Sequence, residues 1–281
     1  MNAKDERLYP RFGFGFRILH IMLFTGVILA SVSGVPLKFA HADWAKAMTA
    51  WMGGVEMRGA IHKFAALLLI AVAVAHLFSV LVVDNWRRPF WRHPMMVRLG
   101  DVRSFFQDLA YLVGRRPERT PQGRFSWHEK FDYWGAWWGM VILIGTGLAM
   151  WFKEVSLQYL SLAGFQVFWL IHGDEAMLAV LFLFIVHIYN VHANPEIFPM
   201  STVWLHGKIS MERMRREHSL ELAESGVEPV PPLTPSSVIG RLDDALRRVN
   251  RRVGVSGPVV ALAVALAAYL LGMRYLVGLL F

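Results

Sequence analysis

Five histidines of this chain fall inside apolar stretches, and four of them form two widely spaced pairs. His62 and His76 share one stretch, His172 and His187 share another, and His20 lies near the start of an earlier one. The pairs are 14 and 15 residues apart. That is about 21–22 Å along a helix, most of a hydrocarbon core about 30 Å thick. An ionisable side chain inside a bilayer is costly and reads as functional by default. Imidazoles at two depths on facing helices are what two stacked haems require, because a haem b iron takes one axial nitrogen from each side of its ring.

Depth pairs the residues. His62 lies about three residues into its apolar stretch and His172 two or three into its own, at the end assigned below to the outer face. Those two match as an outer pair, and His20 and His187 match as an inner one. His76 competes with His20, since fourteen residues return to within about 40° of the same helix face. Spacing alone does not choose between them. His192, five residues beyond His187, points about 140° away around the helix, so the two cannot serve one iron. His41, His93, His206 and His218 read as ordinary loop histidines. A haem-free membrane anchor or a proton-coupled transporter subunit is the alternative. No charge lies deep in the third and fifth apolar stretches and no internal repeat stands out, which weighs against a transporter.

The elements that must position these residues are helices. Of 281 residues 55% are hydrophobic, too many for an ordinary soluble domain. Apolar runs at about 17–37, 60–83, 131–152, 170–192 and 258–280 are long enough to span. The expected fold is an all-α membrane protein: a four-helix di-haem bundle within 1–218, a linker and amphipathic helix over 219–256, and a fifth transmembrane helix at 257–281. The first run follows a basic start, and Ala40-His41-Ala42 imitates a cleavage site. Its length suits a retained membrane helix better than a signal peptide. Leu99, Val102, Phe105, Phe106, Leu109, Leu112 and Val113 recur at helical spacing. They predict an amphipathic helix near 99–113, lying on the inner membrane surface or packed on a partner subunit. With no cysteine, thiolate clusters and thioether-linked haem are excluded.

Charge sets the orientation. Lys and Arg number 4 in residues 1–17, 10 in 84–130 and 9 in 193–256, against 3 in 38–58 and 1 in 153–169. The positive-inside rule puts the rich regions in the cytoplasm. The N-terminus is then cytoplasmic and the C-terminus periplasmic, in a bacterial inner membrane. Topology and anionic lipid account for the net charge of +8, and no nucleic-acid partner is expected.

Several fragments carry a family resemblance: Leu19-His20 followed by Ser33-Gly34, Ile61-His62, Glu129-Lys130, Gly145-Thr146-Gly147, Ile171-His172, His187-Ile188-Tyr189 and Gly207-Lys208. In this order and spacing they resemble the cytochrome b (gamma) subunit of formate dehydrogenase-N. More loosely they resemble the cytochrome b subunits of nickel–iron hydrogenase and thiosulfate reductase. The resemblance covers about residues 11–218. It implies an outer haem on His62 and His172 and an inner haem on His20 and His187, with His76 an extra. It implies electron transfer between the quinone pool, menaquinone or ubiquinone, and a periplasmic redox subunit with iron–sulfur clusters or a multihaem cytochrome c. The chain is then a quinone-reactive subunit of an oxidoreductase complex and incomplete alone. Quinone chemistry needs an acid or base near the ring, and Glu129 or His128, beside Ser126, could supply it at the inner face. Arg58 or Lys63 could meet the outer haem propionates, and Arg17 or Arg124 the inner ones. In this sequence the helix 4 pair is one residue further apart than in the family, and Glu129 replaces an amide.

Overall fold

The computed structural model describes residues 7–84, 89–195, 197–226, 230, 233 and 237–253. In chain order the elements are β1 (Leu8–Pro10), α1 (Phe14–Lys38), α2 (Asp43–Trp51) and α3 (Gly54–Phe78), which runs on as a π-helix over Ser79–Asp84. Then come α4 (Leu99–Leu112), α5 (Trp127–Trp151), α6 (Lys153–Tyr159) and α7 (Leu162–Phe182). Two π-helical segments, Leu183–His187 and Tyr189–Ala193, prolong α7. The short α8 (Val203–His206), β2 (Lys208–Ser210), α9 (Met211–Glu217), α10 (Ser219–Ser225) and α11 (Val238–Val253) complete it. Four of the five expected spans are present as helices long and apolar enough to cross a membrane: Phe14–Lys38, Gly54–Val83, Trp127–Trp151 and Leu162–Ala193. The fifth, at 257–281, lies outside the described residues, as do Pro229, Pro231, Pro232 and Pro235 of the linker.

Three boundaries differ from those read off hydropathy. Residues 38–58 are not simply a loop, because α2 occupies Asp43–Trp51. Gly53 and Gly54, at φ 95° and 90°, turn the chain between α2 and α3, a backbone that favours glycine. Arg58 therefore lies inside α3, with its guanidinium on the Ser33 carbonyl at 2.8 Å. The fourth span begins at Leu162, eight residues before the expected start, because Gln166 and Gly164 dilute its apolar first turns without breaking the helix. His62 is thus eight residues past the start of α3 and His172 ten past that of α7. Both lie deeper than expected.

The chain divides into two compact units. One comprises Ile18–His93 and Tyr133–Val180 and holds most of the four long helices. Its outward surface is apolar: Ile28, Phe64, Val74, Trp138 and Leu178 are each more than half exposed, a surface suited to lipid rather than water. Inside it α1 and α3 touch closely where Gly26 faces Leu69, and Ala65 is fully buried.

The other unit is drawn from the described parts of Met1–Arg17, Pro94–Asp132 and Leu181–Phe281. Strands β1 and β2 pair antiparallel, Tyr9 opposite Ile209, over a small core of Tyr9, Ile209 and Met214. Arg11, 4% exposed, donates to Glu221 at 2.6 Å and to Glu129 at 3.3 Å, and Arg124 also donates to Glu221. A buried carboxylate needs such partners to stay charged. Here α4 turns its carboxylates inward. Asp101 binds Lys130 at 2.8 Å, and Asp108 takes the Trp127 indole N–H at 2.7 Å. Leu99, Phe106 and Leu112 on α4 are left well exposed.

Candidate functional site

The membrane unit brings His62 and His172 together, with ring centroids 6.3 Å apart and planes at 73°. Each ring is held from behind by a neighbouring helix in the same way. On α1, Ser33 Oγ lies 3.0 Å from His62 Nδ1; on α5, Thr146 Oγ1 lies 2.9 Å from His172 Nδ1. The next residue is glycine in both places. A Cβ on Gly34 would come within 3.1 Å of His62 Cε1, and one on Gly147 within 3.1 Å of His172 Cε1. Glycine is what lets each ring lie against its helix.

These residues fit an iron porphyrin. Two imidazoles on opposite sides of one metal ion, with metal–nitrogen bonds of about 2 Å, have centroids about 6 Å apart, close to the observed separation. Among the described residues no group of three or more His, Asp and Glu is placed to chelate a bare ion. A facing pair of imidazoles suits a metal that brings its remaining ligands with it. Charged groups gather at the same end of the unit. Arg58, one turn before His62, is 9% exposed, and Lys38 reaches Asp174 at 2.5 Å and approaches Gly173. Lys63 instead lies over the Trp151 ring, 5.4 Å from its centroid.

His76 is engaged differently. Its Nε2 lies 2.8 Å from the Tyr133 hydroxyl, with the rings of Tyr133 and Trp137 close by. His187 Nδ1 lies 3.6 Å from Asp132 Oδ2, while Asp132 Oδ1 is buried without a hydrogen-bond partner among the described residues. His20 lies near the Phe24 ring on α1. Arg17 donates to the Leu205 carbonyl and keeps a buried Nε without a partner among the described residues. Arg124 is committed to Glu221 and the Arg11 carbonyl.

Glu129, His128 and Ser126 do meet, as the cap of α5. Glu129 accepts from the Ser126 N–H at 2.7 Å and its hydroxyl at 2.9 Å, and His128 Nε2 lies 3.1 Å from the same hydroxyl. This is a capping box at the helix N-terminus. His218 is not an ordinary loop histidine, for it is 4% exposed. Its Nδ1 donates to the Gly123 carbonyl at 2.9 Å, and its Nε2 faces Glu129 at 4.0 Å. Burial pushes this imidazole below its usual range; Glu129 opposes the shift and Arg11 adds to it.

Reading the sequence for histidines missed their partners. Asp132, Tyr133 and Glu175 went unremarked, though each is a polar side chain on a spanning helix. Glu175 lies so close to α5 that a Cβ on Gly139 would come within 2.9 Å of its carboxylate. A repeat was also missed. Thirteen residues separate His20 from Ser33, and thirteen separate Tyr133 from Thr146. Fourteen separate His62 from His76, and fifteen separate His172 from His187. The π-helical turn Leu183–His187 accommodates the extra residue, since such a turn holds one more than an α-turn. On these offsets Tyr133 stands on α5 where His20 stands on α1, and His76 on α3 where His187 stands on α7.

The family model described as prokaryotic cytochrome b561 matches residues 11–197. The chain is 25% identical over 173 residues to a protein of Haemophilus influenzae named formate dehydrogenase, cytochrome b556 subunit, covering 62% of this chain and 66% of that one. This is just under two thirds of the relative's length. It is 23% identical over 173 residues to the formate dehydrogenase cytochrome b556(fdo) subunit of Escherichia coli K12, covering 62% of this chain and 74% of that one.

Proposed function

The chain belongs to the prokaryotic cytochrome b561 family, and from that premise we propose that it carries electrons through two b-type haems between the quinone pool and a periplasmic redox partner. It is a multi-pass membrane cytochrome b, an electron-transfer subunit of an oxidoreductase complex. The observation that carries the proposal is the His62–His172 pair, set at the separation of two axial ligands. The second pair is His20 with His187, supported by the family resemblance, with His76 the alternative to His20.

The haems, when bound, supply one-electron chemistry; the chain supplies ligands, orientation and local charge. His62 and His172 hold the outer iron, and Arg58 neutralises a propionate beside it. His20 and His187 hold the inner iron, with Arg17 meeting its propionates. The N-terminus is cytoplasmic, the C-terminus periplasmic, and α4 lies with its exposed apolar residues on the inner leaflet. Relatives named as formate dehydrogenase subunits support a partner carrying iron–sulfur clusters; a multihaem cytochrome c is the other candidate.

Quinone, menaquinone or ubiquinone, reacts at the inner face by the start of α5. Its redox chemistry moves two electrons and two protons, and Glu129, with His128 beside it, exchanges those protons with the cytoplasm. Glu129→Gln keeps the hydrogen-bonding shape of the cap but cannot carry a proton. Quinone-linked haem reoxidation should slow by about tenfold to a hundredfold, with haem content unchanged. Reoxidation at the wild-type rate in Glu129→Gln, in His128→Ala and in the double variant moves the proton site elsewhere.

A further inference from the structure

We infer that Ser33 and Thr146 are positioning residues that lock His62 and His172 in the tautomer able to bind iron. A hydroxyl has one hydrogen. Ser33 Oγ lies 2.6 Å from the Leu29 carbonyl oxygen, and Thr146 Oγ1 lies 2.7 Å from that of Ile142. Two oxygens that close repel unless the hydrogen lies between them. Each hydroxyl therefore donates to its own helix and offers only lone pairs to the imidazole. Ser31 makes the same back-bond to Val27, so the back-bond is ordinary helix chemistry. What distinguishes Ser33 and Thr146 is the ring nitrogen at 3.0 and 2.9 Å.

The consequence is a fixed tautomer. Nδ1 faces an acceptor and must carry the hydrogen, so Nε2 keeps its lone pair. An imidazole binds metal through its unprotonated nitrogen, and an acceptor on the other N–H both orients the ring and strengthens it as a ligand. The glycines at 34 and 147 clear the ring edges beside the same contacts. A hydroxyl residue followed by glycine thus serves each imidazole twice, once in each of the two helices that the repeat offsets relate. Both hydroxyl residues are buried, Ser33 completely and Thr146 at 8% exposure, so water does not replace either one.

The inference rests on the reading of His62 and His172 as haem ligands, and its test separates the two. Ser33→Ala and Thr146→Val remove the acceptors; Thr146→Ser keeps one. Each full-length variant is purified with its haem, titrated by spectroelectrochemistry, and assayed for haem loss to apomyoglobin. In Ser33→Ala and Thr146→Val one of the two haems should be held about 10–100-fold less tightly. Its ferrous form should gain by several-fold up to about tenfold, an upward shift of up to about 59 mV for one electron. The other haem should not move, and Thr146→Ser should match the wild type. Wild-type potentials and retention in both acceptor-free variants would overturn the inference, as would Thr146→Ser behaving like Thr146→Val. If Ser33→Ala does not fold, the near-isosteric Thr146→Val decides alone. His172→Ala is the control. If it keeps both haems, the ligand reading fails; if it loses one while Thr146→Val changes nothing, only the positioning role fails.

Discussion

His172→Ala should remove one haem and leave the other, so that the Soret absorbance per chain falls to about half. His62→Ala gives the same result, and the double variant loses no more than either alone. The reason is geometric. The two rings lie 6.3 Å apart, so on the proposed reading they are two halves of one coordination site, and one imidazole does not hold a six-coordinate low-spin iron. Contact between helices persists at Ala65 and Gly26 of the α1–α3 interface, so the fold has support outside the pair. A difference spectrum of the purified variants against the wild type reads the effect. Half the haem lost from each single variant, with all of it lost from the double, would mean two separate sites and contradict a shared one.

The second large effect distinguishes His20 from His76. His20→Phe should remove the inner haem, whereas His76→Phe should leave both. Depth along the helices allows either residue, but their surroundings differ. His76 Nε2 is hydrogen-bonded to Tyr133 at 2.8 Å, which engages the nitrogen a haem would need. The repeat offsets set His20 at the position that Tyr133 holds in the other half. On the proposed reading His76 acts as a hydrogen-bonding residue, and its loss would free a tyrosine without exposing an iron. Haem content by pyridine haemochrome decides it. Loss of a haem from His76→Phe with none from His20→Phe would show that α3 and α7 alone carry the ligands.

Four spans were legible because twenty-residue apolar runs permit little else in a bilayer. Their ends were less so. Arg58 looked like loop because a charge near a membrane edge normally faces water, and only the Ser33 carbonyl explains its place inside α3. The proximity of His62 and His172 was legible from their matching depth. The hydroxyls behind them were not, although Ser33-Gly34 and Thr146-Gly147 were noticed as fragments of a family pattern. Nothing local to a serine reveals which imidazole, 29 residues away, it faces. The repeat was hidden because one of its histidines is a tyrosine and a π-turn shifts another by one residue. The ion cluster around Arg11 was out of reach altogether, for Arg11 and Glu221 stand 210 residues apart. His218 was misread for the same reason: its partners, Gly123 and Glu129, come from a different stretch of chain.

On the proposed reading this chain holds two haems by histidines alone. A pyridine haemochrome assay on the purified full-length protein, read against protein concentration, tests it most directly. About two non-covalent haem b per chain are expected, with six-coordinate, bis-histidine spectra. A folded, monodisperse protein with no Soret band, after expression with ample haem supply, would contradict it.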